Sequence, residues 1–183
     1  MVQIGQAGVN HHCKVRWLKR PHLLPHYCDI VNPDGSGERT RNDYTGAAEG
    51  GMTEVELSKI AEKSANPEVK RFAERMVRDH SAANAELTSI AAGLGIEMPK
   101  TLASEHQRIR HQLRSMHGKA FGQHYMRLMV DDHDNAVKLF RQEAGSAHNT
   151  ELKQFAQKTL PTIEQHQKMA LALSHRLSET AAK

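Results

Sequence analysis

Between Asn66 and Leu94 the apolar residues keep to one helical seam. Val69, Ala73, Met76, His80, Ala83, Leu87, Ile90 and Leu94 follow at spacings of 4, 3, 4, 3, 4, 3 and 4. That alternation is what a helix needs to pack lengthwise against partners in a bundle. The start is equally well marked: Asn66 suits the N-cap, Pro67 the first helical position, and Glu68 sets a carboxylate at the positive helix end. Of these eight positions only the one at His80 is polar, so a histidine is expected inside the bundle.

Three further main helices and a connection are expected around this one. A first helix is predicted over about Asp43 to Ala65, weakened at Gly50-Gly51, where a kink or a close backbone approach is expected. Asn66-Pro67 ends it, so the first two helices should be antiparallel neighbours joined by a short turn. Leu102 to Met116 reads as a polar helical connection with Leu102, Ile109, Leu113 and Met116 on its apolar side. The third main helix is predicted over Ala120 to Ala144, with Met126, Met129, His133, Val137, Phe140 and Ala144 in its seam. The last starts near Asn149, capped by Asn149 or Thr150, and carries Leu152, Phe155, Leu160, Ile163, His166, Ala170, Leu173 and Leu177. Pro161 inside it should produce a kink.

Residues 1–42 differ from the rest and are expected to form a poorly ordered basic arm, leaving 43–183 as one helical domain. No helical or strand period persists in the arm, which holds four of the 13 histidines and both cysteines. Cys13, His22, His26 and Cys28 have the chemistry of zinc ligands, but their spacing matches no common finger, and the incidental reading is preferred. His, Lys and Arg stand where the apolar core of a leader would be, so no signal peptide is legible. No apolar run approaches the ~18 to 20 residues of a membrane span. Lysine and arginine alternate with acidic residues and form no basic stripe with interleaved aromatics, which argues against nucleic acid as a partner. No protein partner is legible, and homo-oligomerisation stays open.

The chain repeats itself. Asn66-Pro67-Glu68-Val69-Lys70-Arg71-Phe72-Ala73 aligns with Asn149-Thr150-Glu151-Leu152-Lys153-Gln154-Phe155-Ala156 at an offset of 83 residues. Two similar helical hairpins with one long helical crossover are therefore expected: an all-α, ferritin-like four-helix bundle. A second echo, Met76-Val77-Arg78-Asp79-His80 against Met129-Val130-Asp131-Asp132-His133, puts an Asp-His pair on the second and third main helices. With Gly50-Gly51-Met52-Thr53-Glu54-Val55-Glu56-Leu57, and Thr159-Leu160-Pro161 followed by His166, these stretches resemble a bacterial family known as domain of unknown function 4142. The resemblance spans residues ~45–177 and implies a ferritin-like four-helix bundle. Members of that family are usually exported, some being described as outer-membrane proteins, so it also implies a periplasmic or envelope-associated setting.

Counting from the two hairpin turns tests whether the polar seam residues can meet. Glu54 lies 12 residues before Asn66 and His80 lies 14 after it; His133 lies 16 before Asn149 and His166 lies 17 after it. All four fall within ~5 residues, or ~7 Å of helix rise. Glu49 is a further carboxylate level with His133, and Glu54 competes with Val55 for the inward direction. Imidazole with carboxylate suits zinc, iron, manganese or copper, which makes Glu54, His80, His133 and His166 candidate metal ligands. Against a di-iron oxidase, no Glu-x-x-His pair occurs in the sequence. The preferred reading is interior histidines that hydrogen-bond Glu54, Tyr125 or the backbone and fix helix register. Asp79 and Asp132 sit about 100° round the helix from their histidines and should face solvent or a neighbouring helix. The functional expectation is a non-enzymatic, envelope-associated or stress-related bundle protein of undefined biochemistry, with metal binding in the bundle left open. The alternative is a metal-dependent redox enzyme or metal-storage protein with a His/Glu site in its core.

Overall fold

The computed structural model describes residues 36–179, with side chains from Thr40 onward. Five helices follow in order: α1 (Ser36–Ala61), α2 (Pro67–Gly93), α3 (Ser104–Arg114), α4 (Gly118–Ser146) and α5 (Thr150–Glu179). Helices α1 with α2, and α4 with α5, form two antiparallel hairpins; α3 lies in the long crossover and packs on α1. This is the expected ferritin-like bundle. Most of the expected arm lies outside the described residues, as do Cys13, His22, His26 and Cys28. Its last part does not: α1 starts at Ser36, not Asp43. Ser36 to Asn42 contains no apolar residue, so the sequence offered no periodicity from which to read the helix there.

The repeated asparagines are the helix caps. Asn66 Oδ1 accepts from the N–H groups of Glu68 at 2.9 Å and Val69 at 3.1 Å, satisfying donors the helix itself cannot. Asn149 Oδ1 accepts from the Leu152 N–H at 2.8 Å and also from the Tyr44 hydroxyl at 2.9 Å, which ties α1 to the second hairpin. For α3 the cap comes from elsewhere. Ala103 has no side chain able to do it, and the Glu49 carboxylate accepts from the Ala103 N–H at 3.1 Å.

The core is divided. Leu57, Val69, Phe72, Met76, Tyr125, Met126, Met129 and Leu173 belong to one apolar cluster, towards the α1–α2 turn. Tyr44, Ala48, Leu87, Ala91, Leu152 and Phe155 make a second, towards the α4–α5 turn. Glu54, His80, His133 and His166 occupy the level between them, all buried. On α2 the predicted seam holds for Val69, Ala73, Met76, His80 and Leu87, but Ile90 is only half-buried, Ala91 is buried, and Leu94 is exposed. A straight helix drifts ~20° per heptad from a 3.5-residue repeat, so over three heptads Ile90 turns away and Ala91 takes its place. Helix α5 runs through Pro161 as one continuous element. Among the described residues no helix is long and apolar enough to cross a membrane.

Phe72 and Phe155, the paired aromatics of the repeat, are 2% and 3% exposed, one in each apolar cluster. Since neither hairpin can bury its apolar face alone, Phe72→Ala and Phe155→Ala should each cost ~3 to 5 kcal/mol and lower one shared thermal transition. Calorimetry resolving two independent transitions would refute a single cooperative core.

Candidate metal centre

His80 comes from α2, His133 from α4 and His166 from α5, and their rings face one another in the middle layer. The ring centroids are 5.5 Å apart for His80–His133, 5.2 Å for His80–His166 and 5.5 Å for His133–His166. His133 and His166 are fully buried and His80 is 4% exposed. The heptad position of each histidine explains the convergence: each occupies a seam slot that an aliphatic residue fills one turn away.

One nitrogen of each ring is engaged by an acceptor that cannot itself donate. His80 Nδ1–H donates to Glu54 Oε2 at 2.8 Å, His133 Nδ1–H to the Met129 carbonyl at 2.8 Å, and His166 Nε2–H to Asp79 Oδ2 at 2.9 Å. Among the described residues the remaining nitrogens, His80 Nε2, His133 Nε2 and His166 Nδ1, are buried without a hydrogen-bond partner. One ring nitrogen from each histidine lies within 4.8 Å of the other two. A triangle of that side has its centre at most about 2.8 Å from each corner, against ~2.0 to 2.1 Å for a metal–imidazole bond. Ligation therefore asks each ring to move inward by less than about 1 Å.

The outer hydrogen bonds are those that orient metal-ligating imidazoles, which usually give their second N–H to a carboxylate or a backbone carbonyl. Asp79 is itself held, by Arg75 Nε at 3.2 Å and Arg78 Nε at 3.0 Å. Glu54, grouped with the histidines as a candidate ligand on sequence grounds, meets the Nδ1 edge of His80. Its oxygens lie on the Nδ1 side of His80 and His133, 2.8 and 3.4 Å away, not among the three unpartnered nitrogens. Val55 did not displace it: Thr53, Glu54 and Val55 are all buried, because α1 is covered on more than one side. Glu49 leaves the layer altogether, lying 3.2 Å from His106 Nδ1 on α3 as well as capping that helix. Tyr125, offered as a histidine partner, bonds Ser58 at 2.8 Å. The role of Asp79 in orienting His166 was legible only as an Asp-His dipeptide whose carboxylate points to a neighbouring helix.

Burial opposes the Glu54 carboxylate, but the charge and hydrogen bond of His80, with His133 and His166 nearby, outweigh it and hold its pKa below the ordinary value. For His80 burial is likewise outweighed, by Glu54, and the pKa is raised. His133 is lowered, burial being stronger than the pull of Glu54. His166 is lowered to about 4, by burial first and by the neighbouring His80 and His133, against the hydrogen bond to Asp79. Burial and then Glu54 push Asp132, beside the cluster, up to about 6. The ring cluster thus has one protonatable member, His80, and two that resist protonation. A cleft of about 330 Å³ opens beside the layer, with Glu54 and His80 in its lining.

Residues 33–173 match the family model described as Domain of unknown function (DUF4142). The chain belongs to this family. The DUF4142 chain is also similar in structure to the crystal structure of a DUF305 fragment from Deinococcus radiodurans, with a TM-score of 0.65 and 14% identity. The match covers 75% of this chain and 96% of that one, and at such identity it bears on the fold alone. No curated protein matches the DUF4142 chain.

The shifts fix a pH dependence. An unfolded His166 binds its proton near the ordinary 6.5 and a folded one near 4, so the unfolded chain holds more protons between these values. Stability of the chelator-treated protein should therefore fall as pH drops from about 6.5 to about 4, by at most about 3 kcal/mol from this group. The His80 contribution has the opposite sign and is lost only as pH rises through its raised pKa. Urea unfolding across that window should show His166→Leu flattening the acid loss; an unchanged slope would refute the assignment.

Proposed function

We propose that this DUF4142 domain binds one divalent transition-metal ion in its core through His80, His133 and His166. The observation that carries the reading is three buried histidines that each bring one ring nitrogen within 4.8 Å of the other two, and that each keep one ring nitrogen unpartnered among the described residues. Unpaired buried acceptors are costly, and a water has only two hydrogens to offer three lone pairs. A proton on His80 supplies one donor for two acceptors. A divalent cation satisfies all three, with Glu54, the Met129 carbonyl and Asp79 already in the outer positions. An all-imidazole set suits zinc or copper better than manganese or iron, for which carboxylate ligands are the commoner choice.

The domain is read as a non-enzymatic metal-binding bundle; an envelope-associated or stress-related setting rests on family resemblance alone. One observation favours the enzyme reading as a second. Three protein ligands leave a coordination position open, and the cleft that includes His80 and Glu54 in its lining offers that position a route to solvent.

Titration of chelator-treated protein with zinc or cobalt(II), followed by elemental analysis, should give one ion per chain. His133→Ala should abolish uptake, whereas Glu54→Gln and Asp79→Asn should weaken it about 10- to 100-fold. Uptake should release protons, since a ligating histidine must be neutral. Fully folded wild-type protein that takes up no zinc, cobalt or copper would overturn the reading, leaving the histidines a structural role.

A further inference from the structure

Beside the histidine layer the cleft of about 330 Å³ is lined by residues of all five helices, and it is at the small end of the range for ligand sites. Its lining is of two kinds. Phe140 and Phe155, with ring centroids 6.0 Å apart, are apolar, as are Leu139 and Ile163. Asn84, Asp132 and Asn135 add polar groups, and among the described residues none of these three side chains makes a hydrogen bond or an ion pair. No lysine or arginine lines the cleft. Its two histidines are already matched with carboxylates, His80 with Glu54 and His106 with Glu49. Asp132 is thus a carboxyl in the lining outside any hydrogen bond or ion pair among the described residues, with His106 its one attracting neighbour.

The α1 wall is made of glycine where packing does not require it. A Cβ at Gly46 or Gly50 would meet no atom within 4 Å, in contrast to Gly51, where it would collide with the Asn84 side chain. Glycine weakens a helix relative to alanine, so the effect of Gly46 and Gly50 is to keep the wall shallow. A cleft that combines aromatic and aliphatic side chains with a carboxyl outside any ion pair and two amides suits a positively charged head on an apolar body.

We propose that this cleft is a binding site for a small organic cation, of the amine or amidine class. The charged nitrogen sits among Asp132, Asn84 and Asn135, and the apolar body lies against Phe140 and Phe155. The site does not depend on the metal, and it is tested on chelator-treated full-length protein so that the two readings fail separately.

Amide NMR titrations with benzylamine, benzyl alcohol and benzoate at neutral pH compare the three charge types at nearly constant shape. Benzylamine should shift the amides of Asn84, Asp132 and Asn135 saturably. Benzyl alcohol should need about tenfold more ligand for the same shift, and benzoate should leave these amides unmoved. Asp132→Asn should remove the advantage of the amine over the alcohol. Gly50→Leu, a better helix former that fills the wall, should abolish the shifts in a chain that stays folded. Equal response to all three compounds, no response to benzylamine, or a Gly50→Leu titration like that of the wild type would each overturn the proposal.

Discussion

The Glu54 carboxylate sits in the interior of the bundle, 6% exposed, between two rings of facing helices. A charge so placed is tolerated only where partners replace the water it has lost. His80 supplies the principal one at 2.8 Å, and His133 lies 3.4 Å from the other oxygen. Each ring of the layer has an anchor of its own. Glu54 fixes the tautomer and orientation of His80, the Met129 carbonyl fixes His133, and the twice-held Asp79 fixes His166. Four helices are thereby set in mutual register by polar contacts.

A bundle organised in this way has two apolar halves and a polar septum. Continuous apolar packing would be the simpler arrangement, and replacing buried polar sets by well-packed hydrophobic residues is often neutral or stabilising. The septum is therefore poorly explained as a source of stability. Each of its rings is anchored on one nitrogen and, among the described residues, unpartnered on the other.

The sequence carried the architecture well and the site in part. Helix caps at Asn66 and Asn149, the repeat offset and the seam of α2 were sufficient to give two hairpins and a crossover, since each is local chemistry that the fold does not override. Counting from the turns brought Glu54, His80, His133 and His166 to one level because α-helical rise is nearly constant. What counting cannot supply is rotation. It placed Glu49 in the layer, although its side chain turns to α3, and it could not tell that Glu54 meets the Nδ1 edge of His80 and not the converging nitrogens. The opening of α1 was hidden for another reason: Ser36 to Asn42 has no apolar residue, so nothing there distinguishes a helix from a linker.

The likeness of the two hairpins creates an ambiguity in assembly. Two similar amphipathic hairpins could in principle dock in alternative pairings, within one chain or between chains, with comparable apolar burial. The Asn149 cap bears on that choice. Its oxygen receives the Tyr44 hydroxyl as well as the Leu152 amide, whereas Asn66 receives only amides of its own helix. Tyr44 is fully buried, so a mispaired hairpin would strand its hydroxyl in an apolar environment. One shared hydrogen bond thus labels which end of the first hairpin belongs against the second, and gives two similar hairpins unlike places in the fold.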